Sequence, residues 1–398
     1  MKIILITFFL ISIFEFTIYL LIKKISFSKW ILLNNKKSFF DFNRFKKFKK
    51  NNYNQYLGWD KKKNVKNYEL KNNQKISYSI SSKGYRKSKF TKYKNLIASF
   101  GDSYTFCRQS NNNQTWQEYM SKKQKVFISN YGVGNYGLDQ AFLKYKKTKL
   151  TKDTKIVIFG IVPETICRIQ SVWKNYLEFG NIHGFKPYCT LKVKKFMIKE
   201  NFLKKSHNFK DLKSIIKKIS IVDRFYKEKY LKHLLKFPYS YHYLKNISFN
   251  IRITLKYFLL IIQGKTSLNN MDEKFFQIVM KNNISKSHKL YKESYSLSLM
   301  ESLLDKITKD VKKKNRRCIF VIFPQLFDLE LSTRTNYQNF FKKVKNKIDI
   351  LDLTDEFIDQ KDYKNFYISD KYGGHFNKKG NNLVAKILTK KTANERNI

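Results

Sequence analysis

Five short runs rich in β-branched and aromatic residues recur along the chain: Asn95 to Phe100, Lys125 to Ser129, Lys155 to Phe159, Cys318 to Phe323 and Ile348 to Leu353. Each is closed by turn residues and followed by a longer polar or helical stretch. Strands alternating with helical patterns predict an α/β fold with a mostly parallel sheet covered on both faces. In such sheets ligands bind beyond the carboxyl ends of the strands, so the residues just after these runs are the first place to look for a site. Between about Thr190 and Met300 the pattern turns Lys-rich and helical, with few turn signals, and includes the apolar segment Ile251 to Ile262. This reads as a helical insertion packed over the sheet, a candidate lid.

Ile3 to Ile22 is an apolar stretch of 20 residues, interrupted by one charge at Glu15. That length crosses a bilayer as a helix. The chain runs on into KKISFSKW with no small-residue cleavage site, so an uncleaved anchor is expected instead of a removed signal peptide. Lys23, Lys24, Lys29, Lys36 and Lys37 follow the span and only Lys2 precedes it, which by the positive-inside rule keeps the large domain in the cytoplasm. Long domains translocate largely regardless of charge, so this signal is weak in so basic a chain. Ser38 to Lys50 interleaves Phe with Lys and Arg, as a segment lying on an anionic membrane surface or a solvated linker does. The expected organisation is an anchor over residues 1–24, a basic extension over 25–90, and a catalytic-type domain over 91–398 with its insertion at about 190–300.

The formal charge of +51 invites a nucleic-acid reading. Only ten of the 81 basic residues are Arg, and Lys is spread from end to end. Arg supplies the bidentate phosphate and base contacts, so this pattern is a compositional bias and predicts no specific nucleic-acid partner. A hydrophobic fraction of 42% is enough for a core. Cys107, Cys167, Cys189 and Cys318 lie far apart with no CxxC pair, which excludes the usual zinc spacing; no metal or cofactor is expected.

Three blocks carry chemistry. In LIASFGDSYTFC, Gly101 permits a tight turn after a strand and places Ser103 at the start of the next helix, a sound position for a nucleophile; Asp102 or Ser103 also fits a plain helix cap. In SNYGVGNYGLDQ, Gly132, Gly134 and Gly137 bring backbone close to whatever lies above the sheet, and an N–H of Gly134 or Asn135 can serve an oxyanion hole. In FYISDKYGGHFNKKGN, His375 follows two glycines and precedes a helix, a context the other five histidines lack.

Together these blocks resemble the SGNH, or GDSL-type, hydrolases, over roughly Asn95 to Thr165 and Arg317 to Lys390. The chain is also similar to a branch of that family associated with bacterial surface-polysaccharide gene sets, through Leu57-Gly58-Trp59, Gly84-Tyr85-Arg86, Thr115-Trp116, Tyr136-Gly137-Leu138-Asp139-Gln140 and Lys186-Pro187. The resemblance implies a three-layer α/β/α sandwich, Ser103 as nucleophile, His375 as base, and Ser103, Gly134 and Asn135 at the oxyanion hole.

Two positions depart from the family pattern. No Asn follows the Lys155 to Phe159 strand, where GIVPETICR stands, and Arg168 or the Asn135 amide is the candidate replacement donor; Glu164 has no donor unless protonated. The position three before His375 is Tyr372, so the orienting acid falls to Asp370, with Asp352 after the last strand as the fallback and Asp102 as a further supporting carboxylate.

The resemblance thus implies a serine esterase acting on O-acyl groups of a cell-surface glycan or another small ester, held in a bacterial inner membrane by one span with its domain in the periplasm. An O-acyltransferase using the same residues, and an inactive glycan-binding protein of the same fold, are the alternatives. A basic protein of the membrane surface that binds anionic lipid or nucleic acid, with no role for Ser103, is a third.

Overall fold

The computed structural model describes residues 2–25, 32–33, 41–71, 74–193, 195–368 and 374–393. All five expected strands form, each end within two residues of its expected place: β1 (Asn95–Gly101), β2 (Phe127–Asn130), β3 (Ile156–Ile161), β4 (Arg317–Ile322) and β5 (Ile350–Asp352). They make one sheet in the order β5-β4-β3-β1-β2, with every neighbouring pair parallel.

Both faces are covered, which is why the strands read as near-continuous apolar runs. On one face Ile97, Ile158, Ile319 and Val321 join Trp116 and Met120 of α2 (Trp116–Gln124) and Val384, Ala385 and Leu388 of α6 (Lys378–Thr392) in a single core. Successive residues along a strand face opposite ways, so Phe100, Phe159 and Phe320 form a row of rings on the other face, 5.7–5.9 Å between centroids. Tyr145 of α3 (Leu138–Lys147) caps that row edge-on. The remaining labelled helices are α1 (Ser103–Phe106), α4 (Ser294–Lys312), which packs against β4, and α5 (Thr335–Val344), which packs against β5. The antiparallel hairpin Val65–Lys71 and Gln74–Ile80 continues to Arg86, whose N–H donates to the Asn130 carbonyl at 2.8 Å and closes the β2 edge.

The chain divides into two compact units. One holds residues 47–170, 186–206 and 284–398, which include the sheet. The other holds residues 1–46, 171–185 and 207–283. It contains the N-terminal helix Lys2–Ile25 and the helices Leu212–Val222, Tyr239–Lys245 and Ile247–Ile262, with Leu32–Leu33 pairing parallel to Leu234–Leu235. The N-terminal helix is long and apolar enough to cross a membrane, with a mean hydropathy of 2.4 over its most apolar window and none of that window buried.

Two expectations are corrected. The segment from about Thr190, expected to be helical, opens on an antiparallel hairpin, Tyr188–Lys192 with Lys195–Lys199; the lysines around it mask two short runs of apolar residues. The Phe-rich stretch before Lys50 forms a helix, Phe42–Asn51, and not a solvated linker. Phe45 and Phe48 are buried, Phe45 against Phe209 and Phe48 against Tyr53, leaving Phe42 exposed. All four cysteines are buried free thiols.

Candidate active site

The turn after β1 is built for contact. A Cβ on Gly101 would stand 2.0 Å from the Gly160 carbonyl oxygen and 2.2 Å from Thr105 Oγ1. Only glycine therefore lets β1 and β3 meet at their carboxyl ends, where the Thr105 hydroxyl donates to that same carbonyl at 3.0 Å. Asp102 then caps α1, its Oδ1 accepting the Tyr104 N–H at 2.9 Å. Ser103 is thereby placed between β1 and β3, where the strand order reverses, the position at which parallel α/β sheets bind their ligands.

His375 arrives from the other end of the chain. It pairs with Ile368 in a short antiparallel ladder, and Asn377 two residues later caps α6 by accepting from the N–H groups of Lys379 and Gly380. His375 Nε2 lies 2.8 Å from Ser103 Oγ, with Ser103 8% and His375 5% exposed. The imidazole stacks on the Tyr104 ring, centroids 4.8 Å apart and planes 25° apart, and the Tyr104 hydroxyl donates to the Gly374 carbonyl. Gly374 has φ +81°, a left-handed conformation that glycine adopts without strain, and it packs on Leu326. Tyr104, the residue after Ser103, thus holds the His375 segment through its ring and its hydroxyl, a contact that the sequence alone did not foretell.

Beneath Ser103 lies a buried charge network. Asp102 Oδ2 accepts the Val162 N–H at 3.1 Å and faces Arg168 Nη1 at 3.5 Å. Arg168 also donates to Glu164 Oε2 at 2.7 Å and to the Tyr136 carbonyl at 3.1 Å. Burial pushes the Asp102 carboxyl above the ordinary carboxylate range, while the Arg168 charge and the backbone N–H donors oppose that shift. Arg168, expected as a replacement oxyanion donor, has these contacts with Asp102, Glu164 and Tyr136, beside the turn that carries Ser103.

The glycine block is pinned to the same turn. Val133 N–H donates to the Gly101 carbonyl at 3.0 Å, and a Cβ on Gly132 would stand 2.4 Å from the Phe106 nitrogen. Beyond it, Gly134 and Asn135 are partly exposed, and Asn135 takes φ +68°. Trp59 Nε1 donates to the Gly134 carbonyl at 3.1 Å, Tyr136 returns a bond to the Trp59 carbonyl at 2.5 Å, and Gln140 reaches the Leu57 carbonyl at 2.6 Å. Arg86 donates to the carbonyls of Phe106, Cys107 and Ser110 just after α1. Lys186 donates to Asp139 Oδ2 at 2.6 Å and to the Arg168 carbonyl at 2.9 Å, with both side chains fully buried. Residues of four of the five short motifs quoted from the sequence thus brace the Ser103 turn and the Gly134 loop.

Asp352 accepts from the Thr354 N–H at 2.9 Å and its hydroxyl at 2.6 Å, closing the turn after β5. Burial raises its carboxyl to about 6. Its hydrogen bonds thus go to Thr354 and not to His375. Asp370 lies outside the described residues.

No family model matches the chain, and no curated protein does. Among solved structures the chain is similar to one from Desulfitobacterium hafniense DCB-2 that is described as a lipolytic protein of the G-D-S-L family. The two are 10% identical at a TM-score of 0.34, over 74% of this chain and 97% of that one. A likeness this loose leaves the description of the fold to the sheet itself: mixed α/β, five parallel strands between helices, with an apolar helix at the N-terminus.

Proposed function

We propose that the chain is a serine esterase acting on O-acyl groups of a cell-surface glycan. The observation that carries this reading is the 2.8 Å contact between His375 Nε2 and Ser103 Oγ at the carboxyl ends of β1 and β3. In this mechanism Ser103 Oγ attacks the acyl carbonyl while His375 Nε2 takes its proton, forming a tetrahedral oxyanion. The backbone N–H groups of Ser103 and of Gly134 or Asn135 receive that oxyanion. His375 returns the proton to the sugar alkoxide as the C–O bond breaks, leaving an acyl-serine. Water, activated by the same imidazole, then releases the acid and restores the serine. A sugar hydroxyl in place of water makes the same site a transferase.

Asp370 is proposed to orient the imidazole through Nδ1. Asp102, held by Val162 and Arg168, fixes the turn that presents Ser103. The family's side-chain donor after β3 is absent, and losing one such donor typically costs a factor of roughly 10²–10³ in rate. Slow turnover is expected in consequence.

The test is covalent labelling of the full chain in detergent with a fluorophosphonate, located by peptide mass spectrometry. Labelling at Ser103 that is lost in Ser103→Ala and slowed in His375→Ala supports the reading. A folded chain that stays unlabelled overturns it and favours a glycan-binding protein without turnover.

A further inference from the structure

Glu15, the single charge inside the N-terminal apolar helix, is bound within its own unit of the chain. Its carboxylate accepts the Ser240 N–H at 2.9 Å and the Tyr239 N–H, and the rings of Tyr19 and Tyr239 lie 5.0 Å apart. Glu15 stands ten residues before Ile25, the end of that helix. At about 1.5 Å per residue this is about 15 Å along its axis, half of a hydrocarbon core about 30 Å thick. Whatever depth Glu15 takes in a membrane, Tyr239 and Ser240 take with it. In lipid those two N–H groups at the start of a helix find no water, so a partner within the protein is what such a position demands.

The helix that follows is shaped for the same medium. Ile247, Ile251, Leu255, Phe258, Leu259 and Ile262 of Ile247–Ile262 are all at least 37% exposed, and Ile262 reaches 80%. Their spacing puts them on one face, while Phe249, Ile253 and Leu260 turn inward and are buried. Exposed Arg252 borders the apolar stripe with Lys256 beside it, long cations able to reach a headgroup layer while their stems stay in apolar surroundings. Tyr241 and Leu244 extend the exposed apolar surface into the preceding helix. So large an unpartnered face is costly in water.

We propose that Tyr239–Lys245 and Ile247–Ile262 are embedded in the lipid bilayer beside the N-terminal helix, so that the insertion is a membrane unit whose apolar stripe faces acyl chains. The proposal rests on the reading that the N-terminal helix crosses the membrane.

The experiment uses the full chain in phosphatidylethanolamine–phosphatidylglycerol vesicles, with single spin labels on Leu255→Cys, Ile262→Cys and, as a marker of the anchor, Phe9→Cys. The four native thiols are buried, and the unsubstituted chain is the blank. Accessibility to oxygen, which partitions into lipid, is compared with accessibility to a water-soluble nickel complex. The expected result is that all three labels favour oxygen. If Phe9 favours oxygen while Leu255 and Ile262 favour nickel, the proposal is overturned and the anchor stands. If all three favour nickel, the anchor reading fails and the proposal with it. Labels at 255 and 262 shielded from both reagents, with spin–spin broadening that fades on dilution with unlabelled chain, overturn it in favour of a second copy of the chain as occupant.

Discussion

Ser103 Oγ and His375 Nε2 stand 2.8 Å apart across 272 residues of sequence, brought together by the end of one parallel strand and the start of the C-terminal helix. In the proposed mechanism this distance suits proton transfer from the attacking serine. A positioned base of this kind contributes about 10²–10⁴ in rate. His375→Ala is therefore expected to slow fluorophosphonate labelling of Ser103 by that factor, measured as a pseudo-first-order rate. His375→Gln is expected to fare no better, because its amide is too weak a base to take the proton.

The Arg168 network predicts a stability effect. Replacing Arg168 with Met leaves Asp102 and Glu164 without their cation in a site where all three are at most 5% exposed. Removing one member of such a buried set costs about 3–5 kcal/mol. Arg168→Met is expected to lower the thermal midpoint accordingly, and Arg168→Met with Glu164→Gln to recover part of the loss. Additive losses in that cycle would show that the two side chains are not coupled.

The sheet was readable because its strands are short, nearly unbroken apolar runs in a chain rich in Lys and Asn, so the five buried segments stand out. Ser103 was readable because it comes just after the glycine that ends such a run, and His375 because it follows two glycines and precedes a helix. What was not readable depends on contacts between distant segments. Arg168 sits four residues after Glu164 on paper, and nothing local says that its guanidinium turns to Asp102. The hairpin after Tyr188 and the burial of Phe45 and Phe48 were hidden by lysines that make every segment look solvated. The apolar stripe of Ile247–Ile262 was visible as a run, but its exposure was not.

Gly101 supplies a steric prediction. Gly101→Ala drives a methyl group into the Gly160 carbonyl and the Thr105 hydroxyl, and the first of these is backbone that cannot swing aside. Overpacking of this kind costs about 1–3 kcal/mol. The expected outcome is a destabilised chain, by denaturant titration, that also labels more slowly at Ser103, since β1 and β3 must part where the serine is held. Wild-type labelling in a destabilised variant would show that the turn tolerates the separation.

Asp352 predicts a dependence of stability on pH. Its carboxyl titrates near 6 in the folded chain, raised by burial from an ordinary value of 3.8. The folded state thus holds a proton that the unfolded state gives up sooner. The stability gained from this is full below about pH 4 and is lost as pH rises through about 6. Asp352→Asn keeps an oxygen for the Thr354 donors and cannot ionise. The thermal midpoint of the wild type, after that of the variant is subtracted, should fall between pH 4 and 6; a flat difference would show that Asp352 is better solvated than its position at the end of β5 implies.

The two carboxylates offered as orienting acid can be separated by rate. Asp352 is occupied by Thr354, so Asp352→Asn is expected to leave labelling of Ser103 unchanged at pH 7.5. Asp370→Asn is expected to slow it, by less than His375→Ala does, where the acid fixes the tautomer that leaves Nε2 free to accept a proton. The residual rate should still exceed that of His375→Ala, because the Tyr104 ring and the ladder through Ile368 hold the imidazole in place without the acid. Equal rates for Asp370→Asn and the wild type would mean that this stacking and pairing alone orient the base, and that the site works as a serine–histidine dyad.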